Sequence, residues 1–200
     1  MNKDTPTFKA IFGHQWNALP PVMRIHYQNR PFSDDVLTVE GIMNVERSWL
    51  AVMFSPLFQL IGTLVPHQAK NVPVTVHYRS EKNSARFCFD RTFHFTDRAP
   101  HHFFSRMLQI KDNIVVEFMR FGIGWRIRYE WDGEKVMLHH AGYVWKLFRA
   151  LIPLPIEWVL GTAYAEEVPL SENRFYMKME IMHPLFGKVY GYDGEFRIVS

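Results

Sequence analysis

Arg91 has the strongest claim to chemistry in this sequence. It lies in Ala85–Phe95, where Phe87, Phe89, Phe93 and Phe95 alternate onto the same face. A guanidinium stays charged and forks well onto a carboxylate or phosphate, so an inward Arg91 could anchor the acidic head of an apolar ligand. Two other readings stand beside that one. Arg91 could form a structural ion pair with Glu117, which shares a strand with Val115, Met119 and Phe121, or a bulge could turn it outward. Charged side chains are rarely buried unpaired, which favours the pair. Trp125, from the next alternating stretch, completes a candidate binding set of Arg91, Glu117, Phe87, Phe89, Phe93 and Trp125.

Other reactive residue types make weaker patterns. The 10 histidines include two adjacent pairs, His101-His102 and His139-His140. On strands, neighbours point to opposite faces, so neither pair chelates. With no H-x-H, H-E-x-x-H or cysteine pair, no metal site is expected. Cys88 alternates out of the Phe face with no evident base, and no G-x-S-x-G is present. Gly122-Ile123-Gly124 lacks the third glycine and the strand–helix setting of a dinucleotide loop. Glu117, Glu166, Glu167 and Glu195 could act as acid or base, although solvated or structural roles are commoner for such residues. No catalytic constellation emerges, and no cofactor is expected.

The elements that would position these residues are mostly strands. Val74, Val76 and Tyr78 alternate with polar residues, and so do Trp125, Ile127, Tyr129 and Trp131. Asp132-Gly133 signals a hairpin, and Gly122-Ile123-Gly124 a bulge or sharp bend. A last hairpin runs through Phe175–Ile181, turns at His183-Pro184-Leu185-Phe186-Gly187 and returns over Lys188–Val199. About eight antiparallel strands result, a mainly β fold in a curved sheet or barrel. Leu19–Tyr27 reads as a short helix, and Phe148–Gly161 as an irregular loop with one helical turn.

Trp49–Val65, WLAVMFSPLFQLIGTLV, carries no charge and needs a non-aqueous neighbour. Its length nearly allows a bilayer span, but Pro56 breaks a helix and Gln59 would be costly in lipid. The stretch is expected as two short helices covering the sheet, with peripheral membrane contact left open.

Residues 1–16 read as a flexible leader and 17–200 as one β-rich domain. A net charge of +3 without basic blocks gives no support for nucleic-acid binding. One cysteine and no apolar leader segment point to a cytoplasmic setting.

The sequence also resembles a bacterial family of unknown function found fused behind saccharopine-dehydrogenase-like reductases. The resemblance rests on Leu19-Pro20…Arg24…His26, Gly41…Val45 and Pro66 with Val72-Pro73-Val74…Val76. It continues through Arg91-Thr92-Phe93, Glu117, Leu154-Pro155, Glu166 or Glu167, and His183-Pro184-Leu185-Phe186-Gly187…Tyr192…Gly194. Phe89 departs from the pattern, standing where the family has tryptophan. The resemblance implies a fold, domain limits and a reductase as a possible partner, but no reaction. The functional expectation is an apolar or lipid-like ligand held in the sheet's cavity. The alternatives are a non-catalytic module docking on a reductase and an enzyme acting on a lipid-like substrate.

Overall fold

In the computed structural model, residues 3–62 and 64–199 are described, with only the backbone of Leu57. Alternating apolar residues build eleven strands. They are β1 (Val36–Arg47), β2 (Ala69–Ser80), β3 (Phe87–Phe93), β4 (His101–Lys111), β5 (Ile114–Phe118) and β6 (Ile123–Trp131), followed by β7 (Val136–Leu147), β8 (Ala150–Leu154), β9 (Thr162–Pro169), β10 (Arg174–His183) and β11 (Gly187–Ile198). Every pairing is antiparallel. The order β6-β5-β4-β3-β2-β1-β11-β10-β9-β7 closes through β6–β7 into a ten-stranded barrel, with β8 as an extra strand on β7. Closure leaves free edges only at β8 and where β7 parts from β9.

The strand period puts the apolar set inside. Val39, Val74, Phe93, Ile127 and Phe175 are all fully buried in one core. β8 and β9 went unrecognised in the sequence. Pro153 and Pro155 argue against a strand, yet Pro153 is accommodated on β8, which is outermost and pairs on one side only. β9 alternates Ala163 and Ala165 inward, residues too small to mark a face in the sequence.

Helices close both ends. The segment expected as a flexible leader instead forms helix α1 (Thr7–Phe12) and a 3-10 turn, Gly13–Ala18, followed by α2 (Pro21–His26), while its residues 1–2 lie outside the described ones. Phe8, Ile11, Phe12 and Trp16 are buried in the core, and Gln15 donates to the Trp131 carbonyl at 2.8 Å. Apolar burial outweighs the looseness that the polar Met1–Asp4 start suggests.

The uncharged stretch forms α3 (Trp49–Met53) and α4 (Ser55–Ile61) over the opposite end. Ser48 caps α3 by accepting from the Ala51 N–H, and Pro56 sits in the first turn of α4, where it costs nothing. Gln59 points outward and donates to Ser55 Oγ, which explains its place in an apolar run. Arg47, at the end of β1, donates to the carbonyls of Ala51 and Pro66, and Tyr190 Oη accepts from the Val65 N–H at 3.1 Å. Among the described residues no helix is long and apolar enough to cross a membrane.

The barrel wall splits at this end. β7 pairs with β9 from Val136 to His139, whereas from Tyr143 onward the same edge is taken by β8. A one-turn helix, α5 (Glu157–Leu160), connects β8 to β9 across that split. Gly161 ends it with φ 83°, and a Cβ there would collide with the Met182 carbonyl of β10. Only glycine suits both conditions.

Candidate functional site

Beneath α3, α4 and α5 lies a cavity of about 70 Å³. Leu50, Phe54 and Phe58 roof it, Val159 and Leu160 close the split side, and Trp125, Met179 and Tyr190 form part of the wall. Polar groups reach it from Glu117 on β5, Tyr143 on β7 and Tyr192 on β11. The Tyr143 hydroxyl is committed to the Gly161 carbonyl at 3.0 Å, which ties β7 to the end of α5.

Glu117 belongs to a buried charged cluster. Arg91 Nη2 donates to Glu117 Oε1 at 2.9 Å, and Arg91 Nη1 donates to Ser105 Oγ at 3.2 Å. Ser105 Oγ in turn donates to the same Oε1 at 2.5 Å. Neither contact uses Oε2. The guanidinium lies between two aromatic rings, 4.7 Å from the Phe89 centroid and 4.5 Å from Phe103. Burial works against its charge, but Glu117 and nearby tyrosines outweigh that, and the arginine sits above its ordinary value. Burial pushes the neutral Tyr192 phenol up to about 12, with Arg91 opposing.

The candidate residues therefore divide. Glu117 and Trp125 line the cavity, while Arg91 and Phe89 stand behind Glu117 and do not. Phe87 packs at the other end of the barrel, 4.9 Å from Phe8, and Phe93 stacks on Phe95. Trp125 Nε1 donates to His140 Nδ1 at 3.1 Å, leaving Nε2 facing Glu157 Oε1 of α5 at 3.6 Å. Burial lowers His140 below the ordinary imidazole value despite Glu157. The neutral ring can thus serve as acceptor for Trp125. The cover by Trp49–Val65 was expected from the sequence, whereas the parts of α5, His140 and Tyr143 were missed because they depend on where β7 splits from β9.

A second buried polar group lies under the N-terminal cap. The Tyr27 hydroxyl donates to Glu167 Oε2, and His26 Nε2 stands 3.5 Å from the same oxygen. Burial and Glu167 push the phenols of Tyr27, Tyr78 and Tyr129 well up. The void beside this group is only about 10 Å³, too small for a ligand. Both His26 and Glu167 are in the resemblance set, but nothing in their spacing links them.

The remaining reactive candidates have plain roles. Cys88 is buried and donates to Glu81 Oε1 at 3.4 Å; burial and Glu81 push its thiol up to about 11, the opposite of an activated nucleophile. His102 Nδ1 lies 3.1 Å from the Thr92 hydroxyl, and His139 faces Glu130 at 3.3 Å. Among the described residues no group of three or more His, Cys, Asp or Glu could hold a metal ion.

A family model described as a domain of unknown function, DUF4166, matches residues 19–196. The chain belongs to the DUF4166 family. No curated protein matches it. Among solved structures, the dehydratase domain of the polyketide PpsC from Mycobacterium tuberculosis aligns at 4% identity and a TM-score of 0.20, over 94% of this chain and 84% of that one. A likeness at that score carries no weight for fold or activity. Family membership accounts for the motifs from Leu19 to Gly194 without assigning them a reaction.

Proposed function

We propose that this domain binds an apolar, lipid-like molecule in the cavity under α3, α4 and α5. The observation that carries the proposal is the cavity's composition: aromatic and aliphatic walls around one carboxylate, held in place from behind by Arg91 and Ser105. Binding sites for small molecules combine such walls with few polar groups. At about 70 Å³ the cavity holds only a few waters, so a chain enters when its cover lifts.

The cover is built to lift. Among the described side chains, neither α4 nor α5 has a fully buried residue. Elements with few buried contacts open at low free-energy cost. α4 also separates the cavity from a solvent groove of about 620 Å³, with Leu64, Phe103 and Met119 touching both spaces.

The polar floor sets the ligand's head. Arg91 is already engaged by Glu117, so the cavity presents an acceptor, Glu117, and the neutral Tyr192 phenol. A hydroxyl or amide head suits this floor, whereas a carboxylate would meet Glu117 with like charge. Titration of delipidated protein with decanol and decanoic acid, read by tryptophan fluorescence, tests this. Decanol is expected to bind and to shift the emission of Trp125, with decanoic acid weaker by about tenfold or more. Tighter binding of the acid would reverse the floor assignment. No response to either, with no retained adduct in native mass spectrometry, would end the proposal.

A further inference from the structure

The cavity end of the barrel carries an exposed apolar rim that ligand binding does not require. Phe148 is 90% exposed, Leu185 76%, Trp158 75%, Phe121 66% and Trp49 65%. They come from separate segments, and the contacts join those segments into one surface. Trp49 meets Phe186 of the β10–β11 turn at 6.0 Å between centroids, and His183 of that turn approaches the Trp158 carbonyl of α5. On the other side Trp145 donates to the Phe121 carbonyl, and Arg120 donates to the Gln59 carbonyl of α4. A contiguous apolar face of this kind marks an interaction site.

Backbone geometry singles out two of these rings. Phe121 and Phe148 have φ of 57° and 54°, a region where a bulky residue is an outlier. Leu147 pairs with Ala150, so Phe148-Arg149 is a two-residue hairpin turn. Such turns with a positive φ at the first central position take glycine there. This chain instead places an aromatic ring at the tip, beside a cation.

The charge around the rim selects its occupant. Residues 48–64, 119–124, 144–161 and 182–188 contain Arg120, Lys146, Arg149 and Lys188, the last held by Glu46 and Glu180, and only one carboxylate, Glu157, which faces His140. Among the described residues, Arg120, Lys146 and Arg149 pair with no carboxylate. Aromatic and aliphatic side chains ringed by unpaired cations match a bilayer with anionic head groups.

We infer that the barrel docks by this rim, cavity end down, on anionic lipid membranes. The inference stands apart from the ligand proposal, since docking does not need the cavity filled. Co-flotation of the full chain with phosphatidylcholine vesicles, and with vesicles containing about one third phosphatidylglycerol, tests it. Binding is expected on the anionic vesicles and should weaken as salt is raised. Phe148→Gly relieves the backbone conformation, so its thermal midpoint should equal or exceed that of the parent, while vesicle binding falls about tenfold. Lys146→Ser with Arg149→Ser should weaken binding to anionic vesicles by roughly tenfold or more and leave phosphatidylcholine binding unchanged. Absence of parent binding to either vesicle would overturn the inference, as would undiminished binding by both variants. A concentration-dependent dimer that Phe148→Gly abolishes, without vesicle binding, would assign the rim to a second copy instead.

Discussion

Arg91 and Glu117 illustrate how one buried charge holds another in place, with Arg91 behind the carboxylate that lines the cavity. The pair is buried, and each partner is what makes the other's burial tolerable. Arg91→Met leaves the Glu117 carboxylate without its cation and should cost about 3–5 kcal/mol. Glu117→Gln should cost less, since the amide can still accept from Ser105. Thermal unfolding of both variants and the double mutant should show strong coupling between the positions; additive effects would mean the pair is not formed. His140 gives a pH signature. Its folded value lies below the unfolded value of about 6.5, so its contribution to stability is complete above that pH and is lost as pH falls toward the folded value. Stability measured against pH should therefore fall less steeply below about 6.5 in His140→Gln than in the parent. Equal slopes would place the acid sensitivity elsewhere.

At the scale of elements, the β10–β11 hairpin shows how much alternation alone reveals. Met179 pairs with Tyr192 and Ala165, is buried and lines the cavity, whereas Lys178 bridges to Glu180 at 2.8 Å on the outer face. Met179→Asp should cost several kcal/mol by burying a carboxylate, and Lys178→Ser no more than about 1 kcal/mol. Chemical denaturation of the two variants checks the register, since similar losses would mean it is wrong. Such strands were legible because one face is apolar. β9 was not, since its inward residues are two alanines and Glu167, nor was β8, whose Pro153 is acceptable only on the outermost strand. α1 escaped notice because its apolar residues, Phe8, Ile11 and Phe12, cover too short a span for a clear period. For the candidate site, Arg91 facing inward and its partner Glu117 were readable from strand parity. A cavity under the Trp49–Val65 helices was also expected, but not its bounds or the part of α5, because the positions of these helices over the barrel depend on contacts such as Arg47 to Pro66 and Tyr143 to Gly161.

At the scale of the whole molecule, the barrel is a tube with two unlike ends. The N-terminal cap is packed with aromatic rings and has almost no free space, consistent with a fixed closure. The opposite end combines weakly packed helices, a split wall and an exposed rim. Loading of a ligand and docking on a membrane would therefore occur at the same end, allowing direct transfer between bilayer and cavity.

The pairing of β1 with β11 has a consequence for how the chain acquires its shape. Val39 lies opposite Ile198, so β1 has to wait for a strand far later in the chain. At about 5–20 residues per second, roughly ten seconds or more of synthesis separate the two. Throughout that interval the edge of β1 that takes β11 has no strand beside it. Closure of β1 on β11 is a long-range event of the kind that folds slowly.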